Sequence, residues 1–257
     1  MEPEKLGHKI QKIVKGEVFW DKQYRNIYSV DASSYRIKPL VIAYPKDEHD
    51  VISIVKFASK NNISVTARGA GTGLVGSALG NGIILDMRHF DKIKVHSGSV
   101  VVGSGVFKGQ LDKILEKNDM FFGPNPSVGP YCTVGGMIAT NASGSHSLKY
   151  GSMIDNLLEI RCVTSDGKII CLPSSAKFSM LGLFESDARE KFPKVSKNSC
   201  GYRIDQVTNK SDSQKIIAGS EGTLGIILSA KLKTFPIKRK ITLSILAYKT
   251  INQAVAD

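Results

Sequence analysis

Thr66-Ala-Arg-Gly-Ala-Gly-Thr-Gly-Leu74 is a glycine-punctuated loop that leaves an apolar strand and leads into no helix. Two further runs have the same character: Thr133-Val-Gly-Gly-Met-Ile-Ala-Thr-Asn-Ala-Ser-Gly144 and Gly219-Ser-Glu-Gly-Thr-Leu-Gly-Ile226. Each lies beside stretches rich in valine and isoleucine, so main-chain amides can converge on something large and anionic. Glycine permits positive φ and close backbone approach, and successive amides in such turns form anion-binding nests. Three loops spread over residues 66–226 match a ligand longer than a lone phosphate. An extended dinucleotide meets that demand.

Gly71-Thr-Gly-Leu-Val-Gly76 also fits G-x-G-x-x-G, the dinucleotide fingerprint of the Rossmann fold. That pattern carries meaning only between a strand and a long helix in a βαβ unit. A strand is expected over Ile63 to Ala67, but Gly80-Asn81-Gly82 interrupts at once and Ile83 to Met87 reads as the next strand. The Rossmann reading is set aside.

Composition narrows the field. The chain has 257 residues and a net charge of +12, from 35 basic and 23 acidic side chains. Its lysines are dispersed apart from Lys238-Arg-Lys240, which is the pattern of a solvated surface and not of a nucleic-acid stripe. No stretch approaches the roughly 18 apolar residues of a membrane span. Met1-Glu-Pro-Glu-Lys5 lacks the basic-then-apolar start of a secretory signal, so a cytoplasmic protein, at most peripheral to a membrane, is expected. Cys132, Cys162, Cys171 and Cys200 form no C-x-x-C pair and read as reduced structural thiols. His8, His49, His89, His96 and His146 show no metal-binding spacing.

Residues 1–38 read as a lead-in helix followed by an irregular basic stretch. Pro39 to Pro45 is a short buried strand, and a helix starts near Asp47, with Val51, Ile54, Val55 and Ala58 at the spacing of one buried face. A second lobe is expected from about Lys92. It holds a strand at Val100 to Gly105, a helical stripe of Phe107, Leu111, Ile114 and Leu115, and irregular chain at Phe121 to Ser127. Val134 to Ala139 predicts a short helix. Leu157 to Val163 and Lys168 to Leu172 flank Asp166-Gly167, a hairpin signal. Residues 173–213 are polar and loop-rich, and strand returns at Ile216-Ile217 and Ile226 to Phe235. The fold class expected is α+β in two lobes, about 39–91 and 92–236.

With these parts placed, the chain resembles the flavin-binding domain of the vanillyl-alcohol-oxidase/PCMH family, and within it the D-2-hydroxyacid dehydrogenase and glycolate oxidase group. Arg68-Gly-Ala-Gly-Thr-Gly-Leu74 resembles the family's first pyrophosphate loop, and Pro126-Ser127 with Cys132 to Asn141 its second flavin segment. Leu148-Lys-Tyr-Gly151 and Gly219 to Gly225 complete the order. The resemblance implies FAD as cofactor. Its contacts would come from Ala67, Arg68, Gly69, Ala70, Gly71, Thr72, Gly73 and Leu74 in the first loop. Pro126, Ser127, Thr133, Gly135, Gly136, Thr140, Asn141, Ala142, Ser143, Gly144 and Tyr150 would follow from the middle of the chain. Glu221, Gly222, Gly225, Ile226 and Ile227 would close over it. The helix at Val134 to Ala139 would add amides and a positive dipole end. Alternatives stand beside these roles. Arg68 pairs with a carboxylate or with the ligand; Thr140 and Ser143 are ligand contacts or local caps; Tyr150 is a contact or core packing.

Two departures from the family pattern matter. Members that bind flavin covalently place histidine or cysteine near these loops, whereas Thr72 stands in the comparable region, so non-covalent FAD is expected. After Phe235 the chain resembles only the opening of a cap domain, Ile241 to Tyr248 as a strand and Ala254-Val255 in a helix, leaving no catalytic or metal residue to assign. Phe192 to Arg203 is similar to members fused to an iron–sulfur module. The function implied is the FAD module of an oxidoreductase converting a 2-hydroxy acid such as D-lactate or glycolate to the 2-oxo acid. Substrate would be held through the cap, and an iron–sulfur or quinone-linked group would accept electrons. The alternatives are a non-catalytic flavin-carrying subunit of a split oxidase and, ranked below it, a UDP-sugar reductase on the same flavin fold.

Overall fold

The computed structural model describes residues 2–174, 191–193, 195, 198–199, 201–238 and 242–257. Cys200 and Ile241, and parts of the polar stretch 173–213, of the segment 192–203 and of the basic run 238–240, lie outside the described residues.

The first lobe is built on a four-stranded sheet. In chain order it contains helix α1 (Pro3–Gln11), strand β1 (Glu17–Phe19), helix α2 (Lys22–Ile27), strand β2 (Val41–Tyr44), helix α3 (Glu48–Lys60), strand β3 (Val65–Arg68) and strand β4 (Ile83–Asp86). The sheet order is β1-β2-β4-β3, with β2, β4 and β3 parallel and β1 antiparallel at one edge. β2 and β4 are buried at every position, as strands covered on both faces must be. α3 forms because Asp47 caps it, accepting from the His49 and Asp50 amides, and because Val51, Ile54, Val55 and Ala58 share its buried face. Buried Asp50 accepts from the amides of Lys15, Gly16 and Lys46, each at 2.9 Å, and so ties the N-terminal segment to this helix. The expected lead-in helix is present as α1, whose Leu6 and Ile10 are fully buried in the core, but the stretch after it is not wholly irregular: β1 extends the sheet and α2 follows.

The second lobe is a five-stranded antiparallel sheet in the order β5-β6-β10-β8-β9. Its strands are β5 (Ile93–His96), β6 (Ser99–Gly103), β8 (Leu157–Val163), β9 (Ile169–Leu172) and β10 (Ile226–Lys233). The expected hairpin turn at Asp166-Gly167 joins β8 to β9, with Gly167 at φ 73°. Helices α4 (Lys108–Glu116), α5 (Val134–Ala139), α6 (Ser147–Tyr150) and α7 (Met153–Asn156) pack around it, and a short ladder pairs β7 (Met120–Phe121) with β11 (Phe235–Pro236). The central core gathers Val100, Val102, Leu111, Leu115, Val134, Ile138 and Met153, all fully buried.

The α+β class holds, with one mostly parallel and one antiparallel sheet. Three local readings need correction. Ile216-Ile217 is not strand but the end of a 3-10 helix, Lys210–Ile217, because both side chains reach the core from successive positions. In the α4 stripe, Leu111 and Leu115 are buried while Phe107 precedes the helix and is 45% exposed. Residues 242–248 form no strand: Leu243, Ile245 and Leu246 stay exposed, and a strand without a sheet neighbour has nothing to satisfy its backbone. The final helix, α8 (Ile251–Ala256), is present and exposed throughout.

Candidate functional site

Where the two lobes meet, the three glycine loops line an open cleft.

The first loop, after β3, supplies Ala67, Arg68, Gly69, Ala70, Gly71, Thr72 and Gly73 to the wall, joined by Ser77 and Ala78. No helix follows it, so the Rossmann geometry is absent. Among the described residues, the amides of residues 69–73 have no hydrogen-bond partner. Successive N–H groups left unbonded in such a turn can cradle an anion. Two glycines are required for this shape. Gly71 has φ +68°, and a Cβ at Gly69 would sit 2.0 Å from Thr133 Oγ1, so the loop backbone lies directly on the opposite lobe.

The second segment contributes Pro126, Val128, Cys132, Thr133, Gly135, Gly136, Met137, Ala139, Thr140 and Ala142. Thr133 caps α5, its hydroxyl 3.4 Å from the Gly136 amide. The expectation that the first turn of α5 offers free amides fails. Val134 donates to Val106 O at 2.9 Å and Gly135 to Ser104 O at 2.8 Å, because the helix start is laid across the end of β6. The Thr140 hydroxyl donates back to Gly136 O at 3.0 Å and retains its lone pairs.

The third loop provides Glu221, Gly222, Gly225 and Ile227. Its Gly219 and Glu221 amides are bound to the carbonyls of Ile138 and Ala139 at the end of α5, which fixes the loop to the second segment.

Several expected contacts lie outside the cleft wall: Leu74, Ser127, Asn141, Ser143, Gly144, Tyr150 and Ile226. Asn141, 1% exposed with φ 46°, turns its Oδ1 to the Ile154 amide at 3.0 Å and so starts α7. Tyr150 packs against Phe121 and Phe235, the core alternative. Gly144 is needed for packing, since a Cβ there would sit 1.8 Å from Asn125 O. Leu74 is 75% exposed, and Ile226 is buried in the core of the first lobe.

The charged side chains on the wall are Arg68 and Glu221. Among the described residues the Arg68 guanidinium pairs with no carboxylate: it donates to the carbonyls of Val30 at 2.8 Å and Tyr28 at 3.4 Å. Ser104 was missed by sequence reading; its buried Oγ has no partner among the described residues, although it stands beside the cleft. A serine between two glycines, just past a strand with three consecutive valines, was the available signal. Met87 also lines the site. On its far side Asp86 accepts from Tyr28 at 2.5 Å and from Arg88 at 2.8 Å. Burial, followed by the hydrogen bond to Asp86, pushes the Tyr28 phenol well above the usual range. Cys132 is 6% exposed and burial raises its thiol pKa, so little thiolate exists beside the cleft at neutral pH. Among the described residues there is no cluster able to hold a metal, and no helix long and apolar enough to cross a membrane.

Unpaired amides, obligatory glycines and an orphaned hydroxyl fit a dinucleotide held through its diphosphate. Comparisons with known proteins agree. Residues 39–172, just over half of the chain, match the model described as FAD binding domain. The chain is 32% identical to D-2-hydroxyglutarate dehydrogenase of Haemophilus influenzae over 95% of its own length and 27% of that protein. It is 33% identical to D-lactate dehydrogenase of Archaeoglobus fulgidus over 84% of its length and 43% of that protein. The glycolate oxidase subunit GlcD of Escherichia coli is 35% identical over 59% of this chain and 32% of the relative. The chain thus spans well under half of each of these proteins. An alkyldihydroxyacetonephosphate synthase structure superposes with TM-score 0.70 at 24% identity, covering 93% of this chain and 41% of that one. At that identity the likeness carries the fold alone.

Proposed function

Since the chain belongs to the FAD-binding domain family, with FAD as its cofactor, we propose that it is the flavin module of a dehydrogenase oxidising a 2-hydroxy acid to the 2-oxo acid. The observation that carries this reading is the row of amides at residues 69–73, without hydrogen-bond partners among the described residues, on residues that line the cleft of a chain similar over most of its length to two such dehydrogenases.

FAD, when bound, supplies the two-electron acceptor for a hydride. The residues of this chain bind and orient it. The 69–73 amides hold the diphosphate without a metal or a free cation, and the Ser104, Thr140 and Thr72 hydroxyls offer polar contacts. Gly222 and Gly225 let the third loop lie close to the ligand. Attachment is non-covalent in this reading: Thr72 is a poor nucleophile, and the buried Cys132 thiol is held protonated. Substrate recognition and the base for the hydroxyl proton come from a cap that residues 237–257 begin, with an iron–sulfur or quinone-linked electron acceptor. The protein is read as cytoplasmic or peripheral to a membrane.

Similarity to a glycolate oxidase subunit favours a second arrangement, a flavin-carrying subunit whose catalytic partner is another polypeptide. The test is anaerobic mixing of the full gene product with D-lactate, glycolate and D-2-hydroxyglutarate. Bleaching of the flavin by one of them supports the dehydrogenase; no bleaching until a co-expressed partner is added supports the split subunit.

A further inference from the structure

Nothing inside the first glycine loop holds its shape. The 69–73 amides do not bond to one another or to any other described residue, and the conformation is imposed from outside. The outer surface is made by residues 28–32. Arg68 donates to Val30 O at 2.8 Å and Tyr28 O at 3.4 Å, and its Cζ stands 5.0 Å from the centroid of the Tyr28 ring. The guanidinium passes beneath Gly71, whose Cβ, were there one, would meet it at 2.7 Å. Ala32 N donates to Gly71 O at 3.0 Å, so the same short segment grips the loop twice. That segment is itself anchored. The Tyr28 hydroxyl donates to Asp86 at 2.5 Å and lies 2.8 Å from the Tyr44 hydroxyl. Asp86 precedes Met87, whose amide returns to Arg68 O at 3.1 Å. The circuit from Arg68 to residue 28, to residue 86 and back to Arg68 is closed.

From this geometry we infer that Arg68 is a positioning residue for the cofactor. It acts through the carbonyls of Tyr28 and Val30, not as a charge on the phosphates, and residues 28–32 are a working part of the cofactor site. The inference rests on the reading of the cleft as an FAD site. Its physical basis is preorganisation: an amide nest binds tightly only if its donors are already aimed when the ligand arrives. Lysine carries the same charge but lacks the planar fork that spans two carbonyls.

The experiment compares wild type with Arg68→Lys, Arg68→Met and Tyr28→Phe. It measures the FAD dissociation constant at low and high salt, the melting temperature of the apo chain and the visible circular dichroism of the bound flavin. Lysine and methionine should both weaken FAD by about ten- to a hundredfold, the scale of lost hydrogen bonds to a charged group. The salt dependence should match wild type, and the flavin dichroism should change. Tyr28→Phe, which keeps both carbonyls but loses the anchor, should shift affinity in the same direction by less. Wild-type affinity in Arg68→Lys with loss only in Arg68→Met, together with a shallower salt dependence, would overturn the inference in favour of direct charge contact. A lowered apo melting temperature with unchanged FAD affinity and dichroism would overturn it in favour of a merely structural role. If the wild-type chain binds no FAD, the cofactor reading fails first and the inference falls with it.

Discussion

Gly71 and Gly73 stand two residues apart in the same loop, yet alanine at the two positions should have opposite consequences for the apo chain. At Gly71 the backbone has φ +68°, and the new methyl would lie 2.7 Å from the Arg68 guanidinium. The left-handed conformation costs a non-glycine residue about 1–2 kcal/mol. Displacing Arg68 from its carbonyls removes a charge-assisted bond worth about 1.5–3 kcal/mol. Gly71→Ala should therefore destabilise the apo protein by about 2–4 kcal/mol, allowing for partial relaxation. At Gly73 the nearest atom is Ser77 Oγ at 3.7 Å, an ordinary contact. Gly73→Ala should then be neutral or stabilising by about 0.4–1 kcal/mol, through the stiffer unfolded chain. Urea unfolding of the apo variants, with midpoint and slope both fitted, measures the difference. Equal destabilisation by the two substitutions would refute the reasoning, because it would mean that loop shape is not set by Gly71 and Arg68.

Other outcomes follow from the same site. Added FAD should raise the melting temperature, the stabilisation reaching about 2.7 kcal/mol at a hundredfold excess over Kd, and NAD should raise it much less; equal shifts would contradict an FAD-selective site. Acid precipitation should release all the yellow colour into the supernatant, whereas colour left on the pellet would show a covalent link. Burial pushes the Cys162 thiol up to about 12, so at pH 8 the thiolate is scarce. Iodoacetamide mapping by mass spectrometry should leave Cys162 unlabelled in the native chain and labelled in urea, and prompt native labelling would contradict its burial. The 257 residues mixed with D-lactate or glycolate under anaerobic conditions should keep their flavin oxidised while dithionite still bleaches it. Bleaching by either acid would place a complete site within this chain.

The fold was legible wherever a local signal had no rival. Asp47 with the Val51 to Ala58 stripe could only be a capped amphipathic helix, and Asp166-Gly167 between two apolar runs could only be a hairpin turn. The misreadings share a cause: the outcome depended on a partner remote in sequence. β1 is three residues long and exists because β2 offers an edge. Ile216-Ile217 is as apolar as a strand but is curled by the core it meets. Residues 242–248 have strand-like residues and no sheet to join. The cleft repeats the lesson. Glycine spacing located the first and third loops, because backbone geometry is written in glycine. It could not reveal that the α5 amides are consumed by Val106 and Ser104, that Asn141 faces α7, or that the Arg68 side chain answers to residues 28 and 30.

The most direct test of the central claim is a titration of the purified apo chain with FAD, followed by quenching of flavin fluorescence. The account predicts saturation at one FAD per chain. FMN, which lacks the adenylate half and the bridging diphosphate, should bind more weakly, and NAD should not compete at matched concentration. Absence of saturable FAD binding, or displacement of FAD by NAD, would contradict it.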